Sequence, residues 1–224
     1  MVDTKAMSSE EKLIQAVIAG DVDATKSALD QGAQINVADD DGWHPLHIAV
    51  QKQNVQFIRW FLERPEINVN ARNKWGSTPL MLAASSGNLD SVECLLRHPM
   101  IRVNLQSDYY GRTALIETAV KGHAHVTRCL VSFGADVNLT DKTGRNTALI
   151  EAIKNKHTDI AIYLLRTGAI DFANSGQRLQ ALIWAGRHRD DKLYRELDHA
   201  IASFFNRTGG LPLNKSNHNY SPQR

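Results

Sequence analysis

Two sets of side chains in this chain have types and spacings that chemistry uses. Glu117 and Glu151 stand in matching contexts, ALIETAV and ALIEAIK, and paired carboxylates can share acid–base work. His123, His125 and Cys129 form an H-x-H-x3-C run, and imidazole and thiolate bind zinc when enough of them converge. Both sets are incomplete. No nucleophile elbow, phosphate loop or metal motif accompanies the glutamates. No second ligand pair lies at a zinc spacing from the His and Cys. The glutamates therefore read as acidic surface or local structural groups, and His123 as a structural residue. No catalytic residue, metal site or cofactor is expected.

Other reactive residues read the same way. Cys94 and Cys129 occupy matching places about one packed helix apart, roughly 8–10 Å, too far for a disulfide, which wants Cα atoms within about 7 Å. They are expected to be free, semi-buried thiols. N-x-S/T motifs occur at Asn138, Asn206, Asn214 and Asn219, but glycosylation requires secretion. The opening MVDTKAMSSEEK is charged and has no apolar core, so no secretory signal is expected.

The bulk properties set wider bounds. The 224 residues are 42% hydrophobic and 22% charged, the balance of a folded soluble chain. Twenty-six Lys and Arg against 24 Asp and Glu give a formal charge of +2, which does not suit a nucleic-acid protein held by bulk charge. Two cysteines are too few for a disulfide scaffold. No apolar run is long enough to span a membrane. The expected setting is the cytoplasm, with the nucleus as the alternative, and no membrane contact.

The elements that must position these residues repeat. Leu13, Leu46, Leu80, Leu115, Leu149 and Leu182 open similar apolar runs, spaced by 33, 34, 35, 34 and 33 residues. A second apolar run follows each of the first five, then a breaker at Gly32, Pro65, Pro99, Gly134 or Gly168. Next comes an extended stretch with Asn36, Asn70, Asn104 or Asn138, and a turn closing on Gly42, Gly76, Gly111 or Gly144. The run Thr78 to Gly87 predicts a short helix opened by Thr with Pro in its first turn. Leu89, Val92, Leu95 and Leu96 give the second helix its buried face. Each unit reads as helix, turn, helix, hairpin. One unit cannot bury its apolar face alone, so the units must stack.

The motifs DDDGWHPLHIA, NKWGSTPLMLAA, DYYGRTALIETA and FGADVNLTDKTG resemble the ankyrin repeat, from about Glu10 to Leu197. The resemblance implies an all-α solenoid of helix-turn-helix-β-hairpin units, about six, with degenerate terminal caps. Their approximate spans are 10–38, 39–72, 73–107, 108–140, 141–174 and 175–205, between a flexible segment 1–9 and a disordered tail 206–224. Three departures stand out: His44 replaces the usual Thr, an extra residue lies at Gly144 to Thr147, and the links RPEINVN and HPMIRVN are longer. His47 matches the family's His, which bonds within and between repeats. Ser8 and Glu11 form a capping box pattern. Leu193, Leu197, Ile201 and Phe204 predict one long amphipathic terminal helix. The surroundings of Asn138 resemble a preferred asparagine-hydroxylation site of ankyrin proteins; the alternative is that this Asn only holds the hairpin.

The resemblance implies a non-catalytic module or adaptor that binds another protein and is a monomer by itself. Its contact positions are the hairpin tips and the ends of the first helices, set side by side along one concave face. Here they hold Asp40, Asp41, Trp43, Lys52, Lys74, Trp75, Tyr109, Tyr110, Arg112, Lys121 and Arg145. Trp, Tyr and Arg are enriched at binding hot spots. The alternative for each ring is that it covers its neighbouring hairpin. Two other functions remain open: an inhibitor masking an enzyme or transcription factor, and nucleic-acid contact through the basic end around Arg187, His188, Arg189 and Lys192.

Overall fold

The computed structural model describes residues 7–209. Most of the two expected flexible ends, with the Asn214 and Asn219 motifs, lies outside the described residues. Twelve helices follow one another among the described residues: α1 Ser9–Ala19, α2 Val22–Asp30, α3 Pro45–Gln51, α4 Val55–Leu62, α5 Pro79–Ser86, α6 Leu89–Leu96, α7 Ala114–Lys121, α8 Ala124–Ser132, α9 Ala148–Lys154, α10 Thr158–Arg166, α11 Ser175–His188 and α12 Asp191–Thr208. Odd-numbered helices stack on one another in one layer, and the even-numbered helices from α4 to α12 stack in a second. One apolar cluster runs through both layers from Leu13 to Leu197.

Local chemistry starts and stops these helices. Thr78, Thr113 and Thr147 each accept a bond from the third residue of the following helix. His44, in the same place, makes no such side-chain bond; its ring stacks on His47, with centroids 5.5 Å apart. Ser8 and Glu11 form the expected capping box. Ser8 and Ser9 therefore belong to the start of α1 rather than to a flexible segment. At the other end α12 continues through Thr208, so residues 206–208 are helical and not part of a tail. That helix docks on the stack. Leu193 and Leu197 are buried, the Phe204 ring meets Phe172 at 5.9 Å, and Arg166 pairs with Glu196.

The expected β-hairpins hold no strand among the described residues. Each is a finger closed by one backbone bond: Asp39 N to Trp43 O, 3.0 Å; Asn73 N to Ser77 O, 3.1 Å; Ser107 N to Arg112 O, 2.9 Å; Asp141 N to Asn146 O, 2.9 Å. Just below the closing bond one arm turns away and the other becomes a helix cap, so no ladder can propagate. Among the described residues a single bridge, Thr140 to Thr147, is the nearest approach to a sheet. The last two fingers are each one residue longer. The extra residue precedes Gly111 in one and follows Gly144 in the other, so the insertion is not confined to the 141–146 finger.

Asparagine side chains tie each unit to the next. The Asn36 amide donates to Glu66 O at 2.7 Å and accepts from Asn68 N at 2.8 Å. Asn70 does the same with Met100 O and Arg102 N, at 2.7 and 2.9 Å. Asn104 bonds Gly134 O and Asp136 N, at 3.3 and 2.9 Å. Asn138 bonds Ala169 O and Asp171 N, at 2.9 and 2.8 Å.

The ends of the first helices are tied as well. His123 Nε2 bonds Ser85 O at 3.0 Å, and His157 Nε2 bonds Val120 O at 3.3 Å. Each ring lies against the glycine that ends the helix before it. A Cβ built on Gly87, whose φ is +73°, falls 2.6 Å from the His123 ring. Where the following unit has Asn88 instead, Gln53 occupies the equivalent left-handed position. Such a conformation costs a residue with a side chain about 1–2 kcal/mol.

Gly87→Ala should therefore cost about 2 kcal/mol or more, from the backbone and the ring together. Gly134→Ala, with φ +84° and nothing within 4 Å of its Cβ, should cost about 1 kcal/mol. Adding His123→Asn to Gly87→Ala should recover part of the loss. Urea denaturation of the four proteins checks the order. A second prediction concerns His47. It is fully buried, its Nδ1 accepts from His44 N at 3.3 Å, and its Nε2 lies 3.0 Å from Ser77 O. Burial lowers its pKa from 6.5 to about 4. The unfolded chain then binds a proton that the folded chain refuses between those values. Stability should fall as pH drops from 6.5 toward 4, by about 3 kcal/mol at the limit. His47→Gln should be less stable at neutral pH and show a shallower loss on acidification.

Candidate functional site

The fingers are built from carboxylates and amides that fold the chain over themselves. Asp39 Oδ1 accepts from Asp41 N at 3.0 Å and Trp43 N at 2.8 Å. Asn73 Oδ1 accepts from Trp75 N at 3.1 Å and Ser77 N at 2.9 Å. Asp141 does the same for Thr143 and Asn146. Burial works to raise the Asp141 carboxyl, but the bonds from Thr143 and Asn146 together outweigh it and hold it low. Turn-forming Asx residues thus fix three of the four tips without any ladder; in the remaining finger Ser107 Oγ accepts from Arg112 N at 3.1 Å.

The fingers are also joined to each other. Lys74 N donates to Asp41 O at 3.1 Å. Asp108 N and Tyr109 N donate to Trp75 O at 3.1 and 3.2 Å, and Lys142 N donates to Tyr110 O at 2.9 Å. Two residues not assigned to the site from sequence run beneath this line. Arg72 reaches Gln106 O at 3.0 Å and the Asp108 carboxylate at 2.7 Å. Gln106 reaches Gly111 O at 2.8 Å and Thr140 O at 2.6 Å. Their shared place, two residues after Asn70 and Asn104, was the available signal.

This geometry sorts the residues assigned to partner contact. Trp75, Tyr109 and Tyr110 stand exposed at 40%, 64% and 58%. Tyr109 meets Tyr110 edge-on at 4.6 Å. Cations brace the rings: Lys74 Nζ is 4.7 Å from the Trp75 centroid and Arg112 Cζ is 5.1 Å from that of Tyr110. Asp41 pairs with Lys74, and Asp40 is exposed beside it. Trp43 differs. It is half-buried and lies edge-on over the His47 ring at 5.9 Å, so its surface is largely spent inside the protein. Lys52 and Lys121 are exposed at the far ends of α3 and α7, about 12 Å along those helices from the fingers. Arg145 is exposed on the next finger beyond the tyrosines.

The residues that prompted chemical readings are occupied. Glu117 pairs with Arg112 at 3.5 Å, and the buried Glu151 with Lys154 at 2.9 Å. His123 holds the preceding unit, as described. Cys94 and Cys129 are free thiols, and burial, then the Glu93 carboxylate, raise the pKa of Cys129. Among the described residues no three His, Cys, Asp or Glu side chains converge as a metal site. No helix among them is long and apolar enough to cross a membrane. Asn138 is exposed, but its amide forms a complete inter-unit bridge. A hydroxylase would have to release that bridge to reach it.

No match exists among curated proteins. The family model for ankyrin repeats, in a three-copy form, matches residues 13–107, 100–175 and 122–199. With the helix pairs, the tied fingers and the inter-unit His bonds, this places the chain in the ankyrin repeat family.

Proposed function

We propose that the protein is a non-catalytic adaptor that binds a partner protein through its fingers and the first-helix surface beside them. Ankyrin repeats generally mediate protein–protein interaction and are typically non-catalytic. The observation that carries the reading is the set of three exposed rings, Trp75, Tyr109 and Tyr110, on adjacent fingers joined by backbone bonds. Large rings with few rotatable bonds bury much area at little entropic cost. Fingers already fixed to their neighbours add little further ordering cost. The ion pairs around them are exposed and worth little for stability, so they are better suited to orienting a partner than to holding the fold. The intended setting is the cytoplasm, with the protein monomeric before it binds.

Trp75→Ala and Tyr110→Ala should each weaken partner binding about tenfold or more and shift the melting temperature by no more than a few degrees. Trp43→Ala should do the reverse, since that ring covers His47. Affinity capture with quantitative mass spectrometry, alongside thermal melts, measures both. Unchanged capture by the Trp75 and Tyr110 variants would remove the finger surface from the function.

A further inference from the structure

Among the described residues three with side chains have left-handed backbone: Gln53 at φ 54°, Lys156 at 63° and Arg189 at 52°. They end the first helices of their units, where Gly20, Gly87 and Gly122 stand elsewhere. Gln53 has a structural use there, because its side chain accepts from Asn88 Nδ2 at 3.1 Å. Lys156 and Arg189 have none. Neither forms a side-chain hydrogen bond or an ion pair among the described residues, and both are exposed. The chain keeps two charged side chains where glycine would relieve the backbone. Lys121, one residue before the matching position in the preceding unit, is exposed and unpaired among the described residues, and Arg187 lies over the Trp184 ring at 4.9 Å. Free cations thus recur at the ends of α7, α9 and α11.

We propose that this strip binds an extended, acidic segment of the partner protein, with carboxylates at about every third residue. The proposal rests on the interaction reading above and names the partner chemistry it takes. Packed helices are about 8–10 Å apart, and an extended chain rises about 3.3 Å per residue. A carboxylate every third residue therefore meets one unit after another. The carboxylates near the strip separate this ligand from a nucleic acid. Asp159 and Asp191 are exposed in the first turns of α10 and α12, close in sequence to Lys156 and Arg189, and ion-pair with neither. They repel a backbone charged at every step. A spaced acidic peptide can place its neutral residues over them. The glutamates on the same helices do not compete, since Glu117 and Glu151 are already paired.

The test uses the full chain and three fluorescent probes: a Gly/Ser peptide with glutamate at every third position, a peptide of the same composition with its glutamates in one block, and an oligothymidylate of matching length. The spaced peptide should bind roughly tenfold tighter than the block peptide and weaken with added salt. The double variant Lys156→Gly/Arg189→Gly should lose that binding while its melting temperature holds or rises, by about 2–4 °C per site. Loss of binding then cannot come from loss of fold. Equal binding of the two peptides, unchanged binding by the glycine variant, or tighter binding of the oligothymidylate would each overturn the proposal. Partner capture separates the two readings. A partner lost by Trp75→Ala and Tyr110→Ala but kept by the glycine variant overturns the strip alone, whereas a partner kept by every variant overturns the interaction reading.

Discussion

The side-chain amide of Asn36, repeated at Asn70, Asn104 and Asn138, is the interaction on which the rest of the stack depends. Each amide spends its donor on a carbonyl and its acceptor on an N–H of the next unit. Each therefore satisfies two backbone groups that have no strand or helix partner of their own. The net gain per bond is about 1 kcal/mol, modest beside the burial of Phe57, Phe61 or Leu95. Its importance lies in register. The four asparagines are 34 residues apart throughout, while the leading leucines drift between 34 and 35 over the same units. The drift is compensated locally. Units with the longer links RPEINVN and HPMIRVN have the shorter fingers, and the units after them have the reverse. What is held constant is the distance between asparagine bridges, and the helices settle within it.

Held in that register, the other ties fall into place. His123 and His157 bond two residues before Gly87 and Gly122 and press their rings onto those glycines. Gly and His are thus a pair acting across units. The fingers follow the same logic: each tip carbonyl accepts from the next tip. An apolar core that extends unit by unit is matched by a polar framework that does the same. Few of these bonds could form in a unit standing alone.

Much of this was legible in the sequence, and the failures have physical causes. The leucine period, the Thr caps and the left-handed backbone of the glycine stops are set within a unit, so they recur visibly and the helices follow from them. The asparagine bridges act between units. The sequence shows only that an Asn recurs, which turn chemistry would equally explain. Trp43 and Trp75 look alike in composition and differ in place. Trp75 precedes its finger glycine and stands at the tip with Asp41, Tyr110 and Thr143. Trp43 follows its glycine on the arm returning to the helix, and there it turns onto His47. That offset was readable, but its consequence depends on His44 and His47, whose rings stack only once α3 is formed. The tyrosine pair also has a simple origin. The extra residue before Gly111 widens one tip and gives it two rings.

The same bonds that complete the backbone also shape what the surface can bind. A finger closed by a single bond would sway on its own, and rings at its tip would be costly to order. Linked at Asp41, Trp75 and Tyr110 to the finger that follows, the tips behave as one edge. An edge with a fixed pitch is selective. It rewards a partner that places groups at intervals near the unit spacing and gives little to one that concentrates them. Cations at Lys121, Lys156 and Arg189 share that pitch, because the same stack carries them. On the proposed interaction reading, charge and aromatic surface therefore favour the same kind of partner, one that presents an extended edge along the stack rather than a compact patch on one unit.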